Sequence, residues 1–282
     1  MNQIKQCSIK VHCSAAQEPR ERIDVSSGTM SPTGLDSSTQ RYTDWARIPR
    51  GPWRKLSEEE INELMARETE SERGKVQLIC APKALMSRFQ KALGDTGKYV
   101  TAGAFQVAFN TEEFRSCMEE LGRWASQFGE ETKERLVRVN CPGLHTVTRV
   151  PVENTFIGMH VDNTYCYALK DRAESPNRLC LNIGMEARYL LFIALPLQIM
   201  ESMLREVGKS EFNSDMWMEK HVVSPLGMEF MGAFPGYPVL RLRVEPGEGY
   251  IAPTENMLHD ASTLGMTSWD ILTSVFGRFI TW

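Results

Sequence analysis

The stretch Thr155-Phe-Ile-Gly-Met-His160-Val-Asp162-Asn-Thr164 decides the reading of this chain. It is an apolar run that turns polar at His160, as a strand does where it meets solvent or a cavity. Residues two apart on a strand point to the same side, so His160 and Asp162 can reach one ion together. A second histidine, His259, lies in Gly247-Glu-Gly-Tyr-Ile-Ala-Pro-Thr-Glu-Asn-Met-Leu-His259-Asp-Ala-Ser-Thr263 and comes from another strand, far away in sequence. Two imidazoles and one carboxylate form the facial triad that holds non-haem iron(II) and leaves coordination positions open. With 5 His and 36 Asp plus Glu in 282 residues, composition alone yields roughly 0.6 His-x-acid triplets. The pair therefore gains its weight from the strand context and the third ligand.

Around this stretch the texture is that of short strands. Segments 135–139, 145–150, 155–160, 178–183, 188–193, 238–244, 249–252 and 271–280 are rich in β-branched and aromatic residues. One helical insertion interrupts them near 197–208. Upstream the pattern is helical. Ser57-Glu-Glu-Glu60 matches a capping box and opens a helix expected to run to about Arg73. Leu85, Phe89 and Leu93 recur at helical spacing over 82–94, and Phe114, Met118, Leu121 and Trp124 do so over 111–128. A helical first half followed by about eight strands predicts a mainly β fold, a barrel or sandwich with flanking helices. Residues 1–45, polar and without apolar periodicity, are expected to form a mobile leader. Residues 46–282 then form a single domain, with 46–134 as mainly helical support and 135–282 as the β core.

Composition narrows the functional classes. An apolar share of 42% and a charged share of 24% suit an ordinary soluble globule. A formal charge of −4 without a basic block argues against nucleic acid or an anionic membrane as the main partner. The longest apolar stretch, Tyr189 to Leu197, is too short to span a bilayer, and residues 1–30 carry no secretory h-region. Seven scattered cysteines without a Cys-x-x-Cys suit reduced thiols and a cytoplasmic setting.

The second half, roughly 135–282, resembles the double-stranded β-helix of iron(II)- and 2-oxoglutarate-dependent oxygenases. The residues that carry this are His160-x-Asp162, the strands at Asn177–Gly184 and Arg188–Phe192, the turn Pro246-Gly-Glu-Gly-Tyr-Ile251, His259-Asp-Ala-Ser-Thr263 and the final strand Ile271–Ile280. In order and spacing they are similar to the phytanoyl-CoA hydroxylase-like and clavaminate synthase-like branches. The resemblance implies a jelly-roll, cupin-like barrel with His160, Asp162 and His259 as iron ligands and no catalytic residue beyond them. It also implies that 2-oxoglutarate and dioxygen are consumed, with succinate formed as a substrate C–H is hydroxylated, desaturated or used for ring closure. Halogenating relatives lack the carboxylate that Asp162 supplies. Many members anchor the distal carboxylate of 2-oxoglutarate with an arginine ten to fifteen residues after the second histidine. Here the window Trp269–Ser274 holds Asp270 and no basic residue. Arg278, nineteen residues on, and Arg188, on an inner strand, are the substitutes, since either guanidinium can bind a carboxylate bidentately.

Other residues are open to two readings. Asn163, Thr164, Tyr165 and Asn182 are candidates for polar contacts near the iron, or for turn and edge positions. Glu255 or Asp260 could hydrogen-bond a ligand imidazole. His145, His221 and the Met216-Trp-Met218 and Met228-Glu-Phe-Met231 stretches read more simply as surface or core. The expected substrate is a small polar metabolite. The competing readings are a cupin-like iron oxygenase that does not use 2-oxoglutarate, a catalytically dead metal-binding module, and a zinc hydrolase, whose ligand sets usually differ.

Overall fold

Strand alternation sorts the apolar residues of the second half onto two faces, and both faces are covered. The computed structural model describes residues 8–13, 19–33, 40–65, 74–150, 154–209 and 224–280. Its strands are β1 (Lys10–Cys13), β2 (Ile23–Val25), β3 (Thr29–Met30), β4 (Tyr42–Pro49), β5 (Arg54–Lys55), β6 (Lys75–Cys80), β7 (Gly129–Asn140), β8 (Arg149–Val150), β9 (Thr155–Gly158), β10 (Asn177–Asn182), β11 (Arg188–Pro196), β12 (Leu240–Val244), β13 (Glu248–Ala252), β14 (Met257–Ser262) and β15 (Asp270–Phe279). They form a six-stranded sheet in the order β1-β6-β13-β10-β15-β7, a five-stranded sheet β14-β11-β12-β2-β5, and a smaller sheet β3-β4-β9-β8. The chain is thus mainly β with flanking helices.

The two larger sheets share one core. Cys180, Tyr250, Ala252 and Leu272 from the first meet Leu190, Phe192, Leu240, Leu242 and Val244 from the second. Residues one step out of phase, such as Leu179, Leu181, Ile251, Ile271 and Val275, face away and bury the helices Lys83–Leu93 and Glu112–Ala125. On the far side Leu191, Ile193 and Leu195 pack against the helices Leu197–Glu206 and Pro225–Ala233. Strands covered on both faces read as nearly continuous apolar runs, which is the texture of β10, β11 and β15. Among the described residues no helix is long and apolar enough to cross a membrane.

Several expectations are corrected. The described part of the expected leader belongs to the fold. β1 pairs in parallel with β6, and β2 pairs with β12. Ile9, Val11, Ile23 and Val25 are at most 1% exposed within the core between the sheets. Residues 46–134 are not only helical support, because β6 pairs with β13 and extends the main sheet. The capping box forms as expected, with Ser57 Oγ accepting from Glu60 N and Glu60 Oε2 from Ser57 N. Its helix, however, stops at Leu64, whose side chain is fully buried; residues 66–73 lie outside the described set. The strand expected over 145–150 shrinks to β8, since Val147 N and Thr148 Oγ1 donate to the Asp260 carboxylate instead of to a strand. His221 and Met216–Met218 also lie outside the described residues.

Candidate metal centre

The first ligand is placed by a glycine. Gly158 ends β9 at φ +69°, and a Cβ there would sit 2.2 Å from the Arg47 carbonyl of β4. Only glycine allows this approach, and the turn it makes sends its own carbonyl toward His160 Nδ1 at 3.1 Å. His160 then pairs across to β14: its N–H donates to the His259 carbonyl at 2.9 Å, and the His259 N–H returns the bond at 2.8 Å. Two histidines 99 positions apart therefore face each other, with ring centres 4.6 Å apart. Asp162 follows one pleat later, its N–H donating to the Thr254 carbonyl at 3.0 Å.

The donor atoms of His160, Asp162 and His259 all lie within 4.8 Å of one another, and all three residues are buried. His160 Nε2 is 3.9 Å from Asp162 Oδ1, and His259 Nε2 is 3.6 Å from Asp162 Oδ2. Each imidazole has its Nδ1 against a backbone carbonyl, Gly158 for His160 and Met257 for His259 at 3.0 Å. That contact selects the tautomer with Nδ1 protonated and leaves the Nε2 lone pair for a metal. Burial lowers the pKa of both histidines, aided at His160 by the neighbouring His259 ring, so both are held neutral. Asp162 behaves oppositely. Burial pushes its pKa up, but Arg178 and the two imidazoles more than offset this and hold it at about 2. Asp162 Oδ2 is buried and forms a close ion pair with Arg178 Nη2 at 2.7 Å. An ionised carboxylate beside two free imidazole nitrogens fits a cation. The group could hold one metal ion.

Arg172 fixes this arrangement from behind. It is 1% exposed, and its guanidinium donates to the carbonyls of Asp162 (3.0 Å), Glu255 (2.7 Å) and Tyr167 (3.0 Å), and to Asn163 Oδ1. It ties the segment after His160 to the turn before His259. Asn163 is thus a partner of Arg172, and Thr164 gives its N–H to Glu255 at 2.6 Å. The Tyr165 ring packs edge-on against Phe276. Asn182 clamps the β10–β11 turn through Gly184 N and the carbonyls of Glu186 and Val244. Neither Glu255 nor Asp260 bonds a ligand nitrogen directly; Asp260 Oδ2 stands 3.8 Å from His160 Nδ1.

His160 and His259 open onto a cavity of about 400 Å³ between the sheets. Arg188 lines it, with Tyr250, Cys180 and Leu272 around it. Its Nε is 2.9 Å from Asp270 Oδ1, and the Tyr250 side chain also interacts with the guanidinium. Arg278 is not brought to this cavity. It is exposed, two residues past Phe276, with its guanidinium 3.4 Å from Tyr167 Oη. Sequence reasoning missed Arg138, Arg172 and Arg178. Period-two alternation places Arg178, Cys180 and Asn182 on one face and could have found the second arginine of the cavity; Arg172 lies in a short 3₁₀ turn that carries no pattern. No protein-family model matches the chain, and no curated protein matches it in sequence.

Proposed function

We propose that the protein is a non-haem iron(II)- and 2-oxoglutarate-dependent dioxygenase that oxidises a C–H bond of a small polar metabolite. The observation that carries this reading is the buried His160–Asp162–His259 group, with both Nε2 atoms within 3.9 Å of the Asp162 carboxylate. Strand order supports it: β7-β15-β10-β13 in one sheet, and the His160 bridge followed by β14-β11-β12 in the other, are the strands that would supply the two halves of a double-stranded β-helix. Iron(II) with bound 2-oxoglutarate would supply the electrons that activate dioxygen for C–H oxidation. The chain's own residues would do the rest. Neutral His160 and His259 and ionised Asp162 hold the cation, and Arg172 keeps Asp162 in register. Arg188 receives the distal carboxylate of 2-oxoglutarate through the guanidinium that lines the cavity. The mixed polar and apolar lining, with Tyr250, Cys180 and Leu272 beside the histidines, orients the substrate. Free cysteines at all six described positions suit a reducing, cytoplasmic setting.

A second reading keeps the iron but replaces 2-oxoglutarate by a chelating substrate. The pairing of Arg188 with Asp270 favours it, since that guanidinium charge is already met. One experiment separates them. Anaerobic iron(II)-loaded protein is given 2-oxoglutarate and then air. A weak visible charge-transfer band followed by succinate is expected, with both lost in His259→Ala together with the iron. A His259→Ala protein that keeps one iron at native affinity removes the triad, and wild type with iron but no band leaves the second reading.

A further inference from the structure

Four arginines line the cavity on which the two histidines open: Arg138, Arg149, Arg178 and Arg188. The inner two are matched by carboxylates, Arg178 by Asp162 at 2.7 Å and Arg188 by Asp270 at 2.9 Å. Among the described residues, the outer two are not. The side chain of Arg138, on β7 opposite Leu272, has no hydrogen bond or ion pair among the described residues. Arg149, on β8, donates to Asn154 Oδ1 at 3.2 Å and lies 5.8 Å from the Phe156 ring centre, both neutral neighbours. Both side chains are exposed at the mouth and come from different sheets. Asp260 is the one lining carboxylate among the described residues, and it is already committed: Oδ1 accepts from Val147 N, Thr148 Oγ1 and Ala261 N. Two cationic forks at the rim of a low-dielectric cleft concentrate a positive field there. Forks of this kind match carboxylate or phosphate oxygens bidentately and repel amines.

We infer that the cavity takes its substrate as an anion, a carboxylate or phosphate, with Arg138 and Arg149 as the residues that receive the negative group at the mouth. The inference rests on the proposed function for the identity of the inner ligand, but the mouth site stands on its own charges. The Arg178 charge repels Arg138, and the Asp162 charge acts in the opposite sense. An arriving anion relieves that repulsion, whereas a neutral or basic substrate leaves it in place.

Calorimetry on anaerobic iron(II)-loaded protein tests this in two steps, first with 2-oxoglutarate and then, at saturation, with a probe. The probes are glutarate, its diamide, 1,5-diaminopentane and inorganic phosphate. Glutarate or phosphate is expected to bind, the diamide and diamine not to. Arg138→Gln/Arg149→Gln should weaken that second event at least tenfold, and Arg138→Lys/Arg149→Lys should restore part of it. Arg188→Gln should weaken the first event instead. The assignment is overturned if neither anion binds, if diamide or diamine binds as well as glutarate, or if the double Gln variant binds the anions like wild type. Anion binding that depends on Arg138 and Arg149, without any 2-oxoglutarate event, keeps the inference and removes the co-substrate reading.

Discussion

Asp162 meets Arg178 at 2.7 Å and Asp270 meets Arg188 at 2.9 Å, yet the two buried pairs are built for different ends. Arg188 and Asp270 are at most 1% exposed, and Asp270 has a second partner, Asn140 Nδ2 at 2.8 Å. The pair joins the starts of β11 and β15 and behaves as a structural lock that also turns one guanidinium edge to the cavity. Arg178 keeps 20% of its side chain exposed, stacks over Phe276 at 4.3 Å, and shares Asp162 with two imidazoles. Here the arginine serves as a stand-in cation that keeps a ligand carboxylate ionised. Identical chemistry is thus sealed in one place and left exchangeable in the other, and what differs is the number of competing partners around the carboxylate.

Removing each aspartate should break the comparison most sharply. Asp270→Ala strands Arg188 without compensation, at a cost of about 3–5 kcal/mol, and should leave iron retention near wild type. Asp162→Ala should lose the iron and cost less stability, because Arg178 can reach water. Metal analysis beside chemical denaturation checks both; equal loss of iron in the two variants would show that the pairs are not distinct. A middle-sized effect is expected from Arg178→Met, about 2–3 kcal/mol in metal-free protein. Saturating divalent metal should recover most of it, since the ion replaces the missing cation. Arg188→Met should show no such recovery, and thermal melts with and without metal read the difference. The smallest effect belongs to Asn140→Ala, which removes one hydrogen bond to the Asp270 carboxylate. A loss of about 1.5 kcal/mol is expected, with iron binding unchanged.

Parts of this arrangement are legible in the sequence for stated reasons. The long strands β10, β11 and β15 and the helices Lys83–Leu93 and Glu112–Ala125 are long enough for periodicity to show. The His160/Asp162 pair is legible because alternation fixes which side chains share a face. β1 and β2, with four and three residues, carry too few positions for any period, so Ile9, Val11, Ile23 and Val25 look like isolated apolar residues in a polar segment. β6 is buried on five of its six positions, but Lys75 and Gln77 interrupt its apolar run. Arg278 shares β15 with the cavity residue Leu272, and only the path of that strand past Phe276 carries it out to Tyr167.

By itself the sequence determined the local geometry: which runs extend, where Ser57 caps a helix, and that His160 and Asp162 point the same way. These follow from backbone sterics and side-chain period, which act over a few residues. The tertiary structure decided the pairing of His160 with His259, the clamp of Arg172 on the turn before His259, and the meeting of four arginines at one cavity. Each depends on inter-strand register, and a slip of one residue would turn every side chain of a strand to its other face. That register is set by burial summed over both sheets, which no short window of sequence contains.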